Sequence, residues 1–169
     1  MKKNLVLLGM MGAGKTTLGK IVSKKINFKF IDTDANIEKK CEMQIPQIFK
    51  KRGEDFFGAE EVKEVLKCLK ETNSVIALGG GAFINKAIRH NILKNSISIW
   101  LDVKLKDLSK RLKWSNKRPL LNKDNKQKEI NKLFHKRKNI YKLANYKINC
   151  DNLNKKNIAE KIITLYEKY

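Results

Sequence analysis

The feature that most constrains this sequence is a glycine-rich stretch, LVLLGMMGAGKTT, at residues 5–17. Its apolar start has the length of a buried strand, and the polar residues before it mark the entry of the chain from solvent. The spacing G-x-x-x-x-G-K-[ST] of a phosphate-binding loop is satisfied by Gly9, Gly14, Lys15 and Thr16. The stretch therefore predicts a strand, a tight turn and a helix in that order, with an anion bound at the turn.

The chemistry expected of this loop follows from its residue types. Glycines let successive backbone N–H groups converge on one point, where the positive end of the following helix adds to anion binding. Lys15 is expected to reach the β- and γ-phosphates of a nucleotide, and the Thr16 hydroxyl to ligate Mg²⁺. The alternative is a glycine-rich turn that precedes an ordinary helix.

Composition limits the classes of protein that need considering. The 169 residues, 41% of them apolar, fit a single domain over 1–169. The net charge of +21 raises the possibility of nucleic-acid binding, but lysine is spread along the whole chain without a basic block. We interpret this spread as compositional drift, compatible with a mild attraction of anionic substrates.

The cysteine content and the hydropathy of the sequence indicate the cellular compartment in which the protein is expected. Cys41, Cys68 and Cys150 are far apart and odd in number, which favours neither a disulfide framework nor a metal site. The first strand follows Met1 almost directly, and apolar runs are short, so we expect no signal peptide and no membrane span. A soluble, cytoplasmic protein is the expectation.

Strand and helix patterns alternate along the chain. Strands are predicted at 5–8, 28–31, 74–78, 96–101 and 146–149. Helices are predicted from about 18 to 27, 35–41, within 45–58, and at 54–71, 87–93, 104–114, 128–144 and 155–166. This alternation predicts an α/β fold of three layers, α/β/α, with a five-stranded parallel sheet covered on both faces.

Two further motifs follow predicted strands. Asp32 and Asp34 come directly after the second strand, at the sheet edge where open α/β sheets bind ligands. Asp34 alternatively caps the helix that follows it. Gly79, Gly80 and Gly81 come after the third strand, and three glycines in succession favour a loop that a ligand approaches closely over a simple tight turn.

The most polar stretch, residues 115–127, contains Arg118 and is predicted to be a lid that closes over the phosphates; a passive solvated loop is the alternative. The helix after it carries Arg137 and Tyr141 one turn apart.

Together these motifs resemble the shikimate kinase family over nearly the whole chain. The resemblance is carried by GMMGAGKTT at 9–17, DTD at 32–34, GGG at 79–81, KRPLL at 117–121 and the Arg137–Tyr141 pair. It implies the nucleoside monophosphate kinase-like fold, with sheet order 2-3-1-4-5 and a substrate-binding region at about 34–60. It also implies transfer of the ATP γ-phosphate to the 3-hydroxyl of shikimate by a monomer that needs no partner beyond its small-molecule substrates.

The resemblance also implies roles for individual residues. The nucleotide phosphates would be held by Gly12, Ala13, Gly14, Lys15, Thr16 and Thr17. Mg²⁺ would be held by Thr16 and Asp32, partly through water. Asp34 would bind the ring hydroxyls and act as the base, beside a pocket lined by Gly79, Gly80 and Gly81. Arg137 would pair with the shikimate carboxylate, Arg118 would enter from the lid, and Arg111 would lie against the adenine.

These roles make physical sense. Phosphoryl transfer depends on positioning and on cations around the γ-phosphate, which Lys15, Arg118 and Mg²⁺ would supply. A hydroxyl nucleophile needs a proton acceptor within reach, such as Asp34. The planar fork of Arg137 suits a carboxylate.

One position departs from the family pattern. An arginine usually follows the aromatic residue in the segment that reads GEDFFGAEE here, and it helps to grip the substrate, but this chain has Gly58. Three explanations are open: Arg52 or a nearby lysine substitutes, the Michaelis constant is weaker, or the chain is an altered variant. The absence of this arginine keeps a gluconate or nucleoside monophosphate kinase as an alternative function, with a P-loop protein that binds nucleic acid as a more distant one.

Overall fold

The computed structural model describes residues 3–112 and 125–169. Its strands are β1 (Asn4–Leu8), β2 (Lys29–Asp32), β3 (Ser74–Ala77), β4 (Ser96–Asp102) and β5 (Tyr146–Asn149). Its helices are α1 (Lys15–Lys25), α2 (Thr33–Cys41), α3 (Ile45–Arg52), α4 (Glu54–Cys68), α5 (Lys86–Asn95), α6 (Leu105–Leu112), α7 (Lys126–Tyr141) and α8 (Lys155–Glu167), with a 3₁₀ turn at Ala82–Ile84.

The five strands form one parallel sheet in the order β2-β3-β1-β4-β5, which confirms the predicted order. The central strand β1 is buried at all five positions because helices cover both faces of the sheet. Leu5 pairs with Val75 on one side and with Ile97 on the other. The carboxyl ends of β1, β2 and β3 therefore meet at one edge, where open α/β sheets bind ligands.

The helices form the two outer layers of the predicted α/β/α arrangement. α1 packs against α8 on one face of the sheet, while α4 and α5 cover the other face together with α7. This distribution follows from right-handed crossovers between parallel strands. None of the helices among the described residues combines the length and the apolar character that crossing a bilayer requires.

Helix boundaries differ from the predictions where a side chain forms hydrogen bonds near the end of the helix. α2 begins at Thr33 because Asp32, rather than Asp34, is its N-cap and accepts a hydrogen bond from Ala35 N at 3.1 Å. α4 ends three residues before the predicted position. The Asn4 side chain there donates to the carbonyls of Leu69 and Glu71, at 3.4 and 2.6 Å.

α7 begins at Lys126 instead of 128 and ends at Tyr141 instead of 144. Asn145 explains the early end, because its side chain accepts hydrogen bonds from the backbone N–H and the hydroxyl of Ser98, at 2.9 and 2.7 Å. Most of the predicted lid, 115–124, lies outside the described residues, and so does Arg118. The last residues of that prediction already belong to α7.

Candidate active site

The phosphate-binding loop joins β1 to α1 in the predicted way. Gly12 and Gly14 have φ angles of +78° and +93°, in the left-handed region that favours glycine. α1 begins at Lys15, whose side chain is buried. Its Nζ donates to the carbonyls of Gly9 and Met10, both at 2.9 Å, so the ammonium lies inside the curve of the loop. This is where a phosphate group held by the loop amides would meet a positive charge.

Thr16 and Asp32 lie next to each other across the start of α1 and the end of β2. Thr16 Oγ1 donates to Asp32 Oδ2 at 2.6 Å, and the other carboxylate oxygen of Asp32 caps α2. A hydroxyl and a carboxylate are oxygen ligands of the kind that Mg²⁺ takes, and Mg²⁺ at nucleotide sites completes its shell with phosphates and water. The residues therefore fit Mg²⁺, although the described residues contain no cluster of three or more His, Cys, Asp or Glu that would form a protein cage.

A cavity of about 670 Å³ opens in front of the loop. Its wall includes the predicted nucleotide-binding residues Gly12, Ala13, Gly14, Lys15, Thr16, Thr17 and Arg111, with Asp32 and Asp34. Arg111 Nη1 donates to the carbonyl of Gly12 at 3.0 Å, which ties α6 to the loop. Leu153, Lys155 and Ile158 extend the wall and were not predicted from sequence.

A second cavity, of about 440 Å³, lies between α4 and α7. Asp34, Gly80, Gly81 and Arg137 line it, so four predicted substrate-binding residues share one space. Phe49 and Phe57 add an apolar side, with ring centroids 4.9 Å apart. Asp34, Ile45 and Gly80 line both cavities, so the two spaces adjoin at Asp34.

Arg137 is the principal cation of the second cavity. The residue is only 7% exposed, and its Nη1 has no hydrogen-bond partner among the described residues. A Cβ at Gly80 would lie 3.3 Å from Nη1, and one at Gly81 would lie 3.5 Å from Nη2, so the guanidinium packs closely against bare backbone. A buried cationic donor without a partner calls for an anionic ligand.

Tyr141 holds the glycine loop in place. Its hydroxyl donates to the carbonyl of Gly80, and burial raises the pKa of this phenol to about 12, so the donor stays protonated at physiological pH. The Arg137–Tyr141 spacing noted in the sequence thus places a ligand-facing cation and a loop-anchoring hydroxyl one turn apart.

Gly79 is placed differently from its two neighbours. It does not line either cavity, in contrast to the expectation for it. A Cβ at this position would lie 2.5 Å from Asp34 Oδ1 and 2.8 Å from Glu61 Oε1. Any side chain at this position would therefore have to displace the two carboxylates.

Glu61 is a site residue that was missed from the sequence. It is buried on α4 and lines the second cavity. Burial, which has the largest effect, and the nearby Asp34 carboxylate together raise its pKa from 4.5 to about 7, while the Arg137 guanidinium opposes both effects. One sequence signal could have found it, because Glu61 lies one turn before the buried Val65 and so belongs to the inner face of α4.

The surroundings of Gly58 and Arg52 bear on the departure from the family pattern. Gly58 lines the second cavity, and a Cβ there would meet nothing within 4 Å. Arg52 does not line this cavity, and its guanidinium lies 5.2 Å from the centroid of the Phe56 ring. Arg52 is therefore not in position to substitute for the arginine that is missing at position 58, whereas a nearby lysine still could.

The phosphate-binding loop lies on a parallel sheet of order 2-3-1-4-5, and a cavity large enough for a small acceptor adjoins it at the Asp34 carboxylate. This combination places the chain among the P-loop kinases of small molecules. Comparison with known proteins narrows the class. A family model described as shikimate kinase matches residues 11–167. The chain belongs to the shikimate kinase family.

Individual relatives agree with this assignment. The shikimate kinase of Sulfurihydrogenibium sp. (strain YO3AOP1) is 42% identical over 164 residues, which cover 96% of each chain. The structure of shikimate kinase from Acinetobacter baumannii in complex with shikimate matches with a TM-score of 0.95 at 30% identity, covering 99% of this chain and 94% of that one. A gluconokinase from Sinorhizobium meliloti matches at only 13% identity with a TM-score of 0.64, a likeness of fold alone.

Proposed function

We propose that this chain transfers the γ-phosphate of ATP to the 3-hydroxyl of shikimate, giving shikimate 3-phosphate and ADP. The observation that carries the proposal is the position of Asp34, which lines both the cavity beside the phosphate-binding loop and the cavity that contains Arg137. A nucleotide in the first cavity and a hydroxylated acid in the second would meet at this carboxylate.

The acceptor is oriented by its two ends. The unpartnered Nη1 of Arg137 would donate to the shikimate carboxylate in a planar, charge-assisted contact. Asp34 would accept hydrogen bonds from ring hydroxyls at the opposite end. The acceptor hydroxyl would thereby be held against the γ-phosphate, which is the main requirement for catalysis of phosphoryl transfer.

The reaction forms a bond between the 3-hydroxyl oxygen and the γ-phosphorus, while the bond from that phosphorus to the bridging oxygen of ADP breaks. Asp34 accepts the hydroxyl proton. The loop amides and Lys15 hold the phosphates, and Arg118 is proposed as a further cation at the transferring group, although it lies outside the described residues. Mg²⁺, which Thr16 and Asp32 would hold, neutralises phosphate charge when it is bound.

We also propose that the chain acts as a monomer in the cytoplasm, with its substrate-binding region at about 34–60 inside a single domain over 1–169. The single sheet supports one domain, and the three free cysteines support the compartment. Free thiols suit a reducing compartment.

The test is ADP formation by the purified chain with Mg·ATP and, in parallel, shikimate, gluconate or nucleoside monophosphates. Of these acceptors, we expect only shikimate to be phosphorylated. Asp34→Asn, which keeps the size of the side chain but lowers its basicity, is expected to reduce kcat by about 10²- to 10⁴-fold, the usual contribution of a positioned base. Turnover with gluconate but not with shikimate would overturn the proposal.

A further inference from the structure

The inner face of α7 carries an unusual concentration of charge toward the acceptor cavity. The α7 residues that line it are Glu129, Lys132, Leu133, Lys136 and Arg137, spaced as one helical face. The opposite wall, α4, contributes Glu54, Phe57, Gly58 and Glu61. Among the described residues that line this cavity, every cation therefore lies on α7, so the anionic end of a ligand must point to that wall.

Arg137 cannot satisfy a carboxylate by itself. A carboxylate has two oxygens with about four lone-pair sites, and one guanidinium fork occupies about two of them. α4 offers no donor for the rest, because position 58 is glycine with open space around it and the neighbouring side chains are acidic or aromatic. Arg52 is turned toward Phe56.

Lys132 and Lys136 are the remaining cations of the wall. They lie four residues apart, roughly 6 Å along the helix axis, and both are exposed at the side of the cavity. Neither forms a salt bridge with another described residue. Their long, flexible stems allow the ammonium groups to turn toward an anion inside the cavity.

We propose that Lys132 and Lys136 are substrate-binding residues that supply the second cationic contact to the acceptor carboxylate, in place of the side chain that Gly58 does not provide. The proposal rests on the proposed function and adds to it the source of specificity for an acidic acceptor. It selects the nearby-lysine explanation from the three that the sequence left open.

The test compares Lys132→Gln, Lys136→Gln and the double variant with the parent chain. Lys128→Gln is the matched control, because Lys128 is an exposed lysine of α7 that does not line the cavity. We expect the double variant to raise the KM for shikimate by roughly five- to twentyfold, with kcat and the KM for ATP within twofold of the parent. The control should leave all three constants unchanged, and Lys→Arg at both positions should retain the parental KM.

A second arm uses the methyl ester of shikimate, which keeps the hydroxyls but removes the negative charge. If the lysines contact the carboxylate, the ester must have the same KM in the parent and in the double variant. An equal loss for acid and ester would overturn the proposal, because it would indicate a distorted cavity.

A third arm restores a cation on the opposite wall. Gly58→Arg should lower the KM for shikimate, and it should do so more strongly in the double variant than in the parent. An unchanged KM in the double glutamine variant, in a parent chain that phosphorylates shikimate, overturns the proposal while leaving the proposed function intact. A parent chain that does not accept shikimate overturns the proposed function itself.

Discussion

At the scale of single residues, Glu61 is a carboxyl group whose pKa differs strongly between the folded and the unfolded chain. Its pKa rises from 4.5 to about 7 because it is buried and lies near Asp34, with Arg137 only partly offsetting both effects. Between these two values the folded state binds more protons than the unfolded state, so its contribution to stability falls as pH rises. The rise in the pKa of Glu61 corresponds to a change of about 3 kcal/mol in the free energy of unfolding.

Glu61→Gln is expected to remove this dependence. The difference in unfolding free energy between the variant and the parent should shift in favour of the variant by about 2–3 kcal/mol from pH 4.5 to pH 8. Urea unfolding across this range measures it. Glu64→Gln is the control on the same helix, since Glu64 is also buried. A pH-independent difference between parent and Glu61→Gln would contradict the inferred environment of Glu61.

Two glycines provide a second test at this scale. In Gly79→Ala the new methyl group would overlap Asp34 Oδ1 and Glu61 Oε1, which are the ends of side chains that can move. We expect kcat to fall at least tenfold with little loss of stability. Gly58→Ala is the contrast, because its methyl group meets nothing within 4 Å and alanine favours a helix by up to about 1 kcal/mol. Equal kcat values in Gly79→Ala and Gly58→Ala would contradict the position of the Asp34 carboxylate beside Gly79.

Some of the site could be predicted from sequence and some could not, for a physical reason. The phosphate-binding loop was predictable because its chemistry needs consecutive residues from Gly9 to Thr17. Asp34 and Arg137 followed from short motifs and a resemblance. Glu61, Lys132 and Lys136 act only because α4 and α7 face each other across a cavity, and no local pattern specifies that pairing.

At the scale of elements, a hydrogen bond from the Tyr141 hydroxyl to the Gly80 carbonyl joins α7 to the glycine loop. Tyr141→Phe removes this donor but keeps the ring that packs against Trp100, with centroids 5.9 Å apart. We expect a loss of about 1–2 kcal/mol in unfolding free energy, and a severalfold higher KM for shikimate with an unchanged KM for ATP.

The control for this variant is Tyr166→Phe, since the Tyr166 hydroxyl donates to the Lys3 carbonyl at 2.7 Å and neither residue lines either of the two cavities described above. It should lower stability without changing either Michaelis constant. A parental KM for shikimate in Tyr141→Phe would show that the loop keeps its shape without α7.

The order of the helices and strands along the chain, and the number of strands, were predicted correctly because hydrophobic patterns in the sequence reflect burial directly. Their ends were less predictable. α4 stops just before Leu69 and Glu71, whose carbonyls accept hydrogen bonds from the Asn4 side chain, and α7 stops four residues before Asn145, which pairs with Ser98. Both partners are distant in sequence, so local propensity overestimates the helix in each case.

At the scale of the whole molecule, ligand binding is coupled to folding through the centre of the sheet. The phosphate-binding loop extends directly from β1, which pairs with β3 and β4, so the loop has its shape only when the sheet is formed. A ligand that binds this loop binds the native state alone. At one hundred times its Kd it should add about 2.7 kcal/mol to the unfolding free energy.

Thermal unfolding with ADP tests this coupling and the metal ligands together. With Mg²⁺ we expect Tm to rise by about 5–10 °C, the shift that 2.7 kcal/mol gives a chain of this size, and to rise less with EDTA. Thr16→Val removes the hydroxyl that lies 2.6 Å from Asp32, so the difference between Mg²⁺ and EDTA should become smaller than in the parent. Thr164→Val, on α8 and outside both cavities, should behave like the parent. A magnesium effect of the parental size in Thr16→Val would remove Thr16 from the metal site, because the loss of a ligand should weaken the binding of the ion.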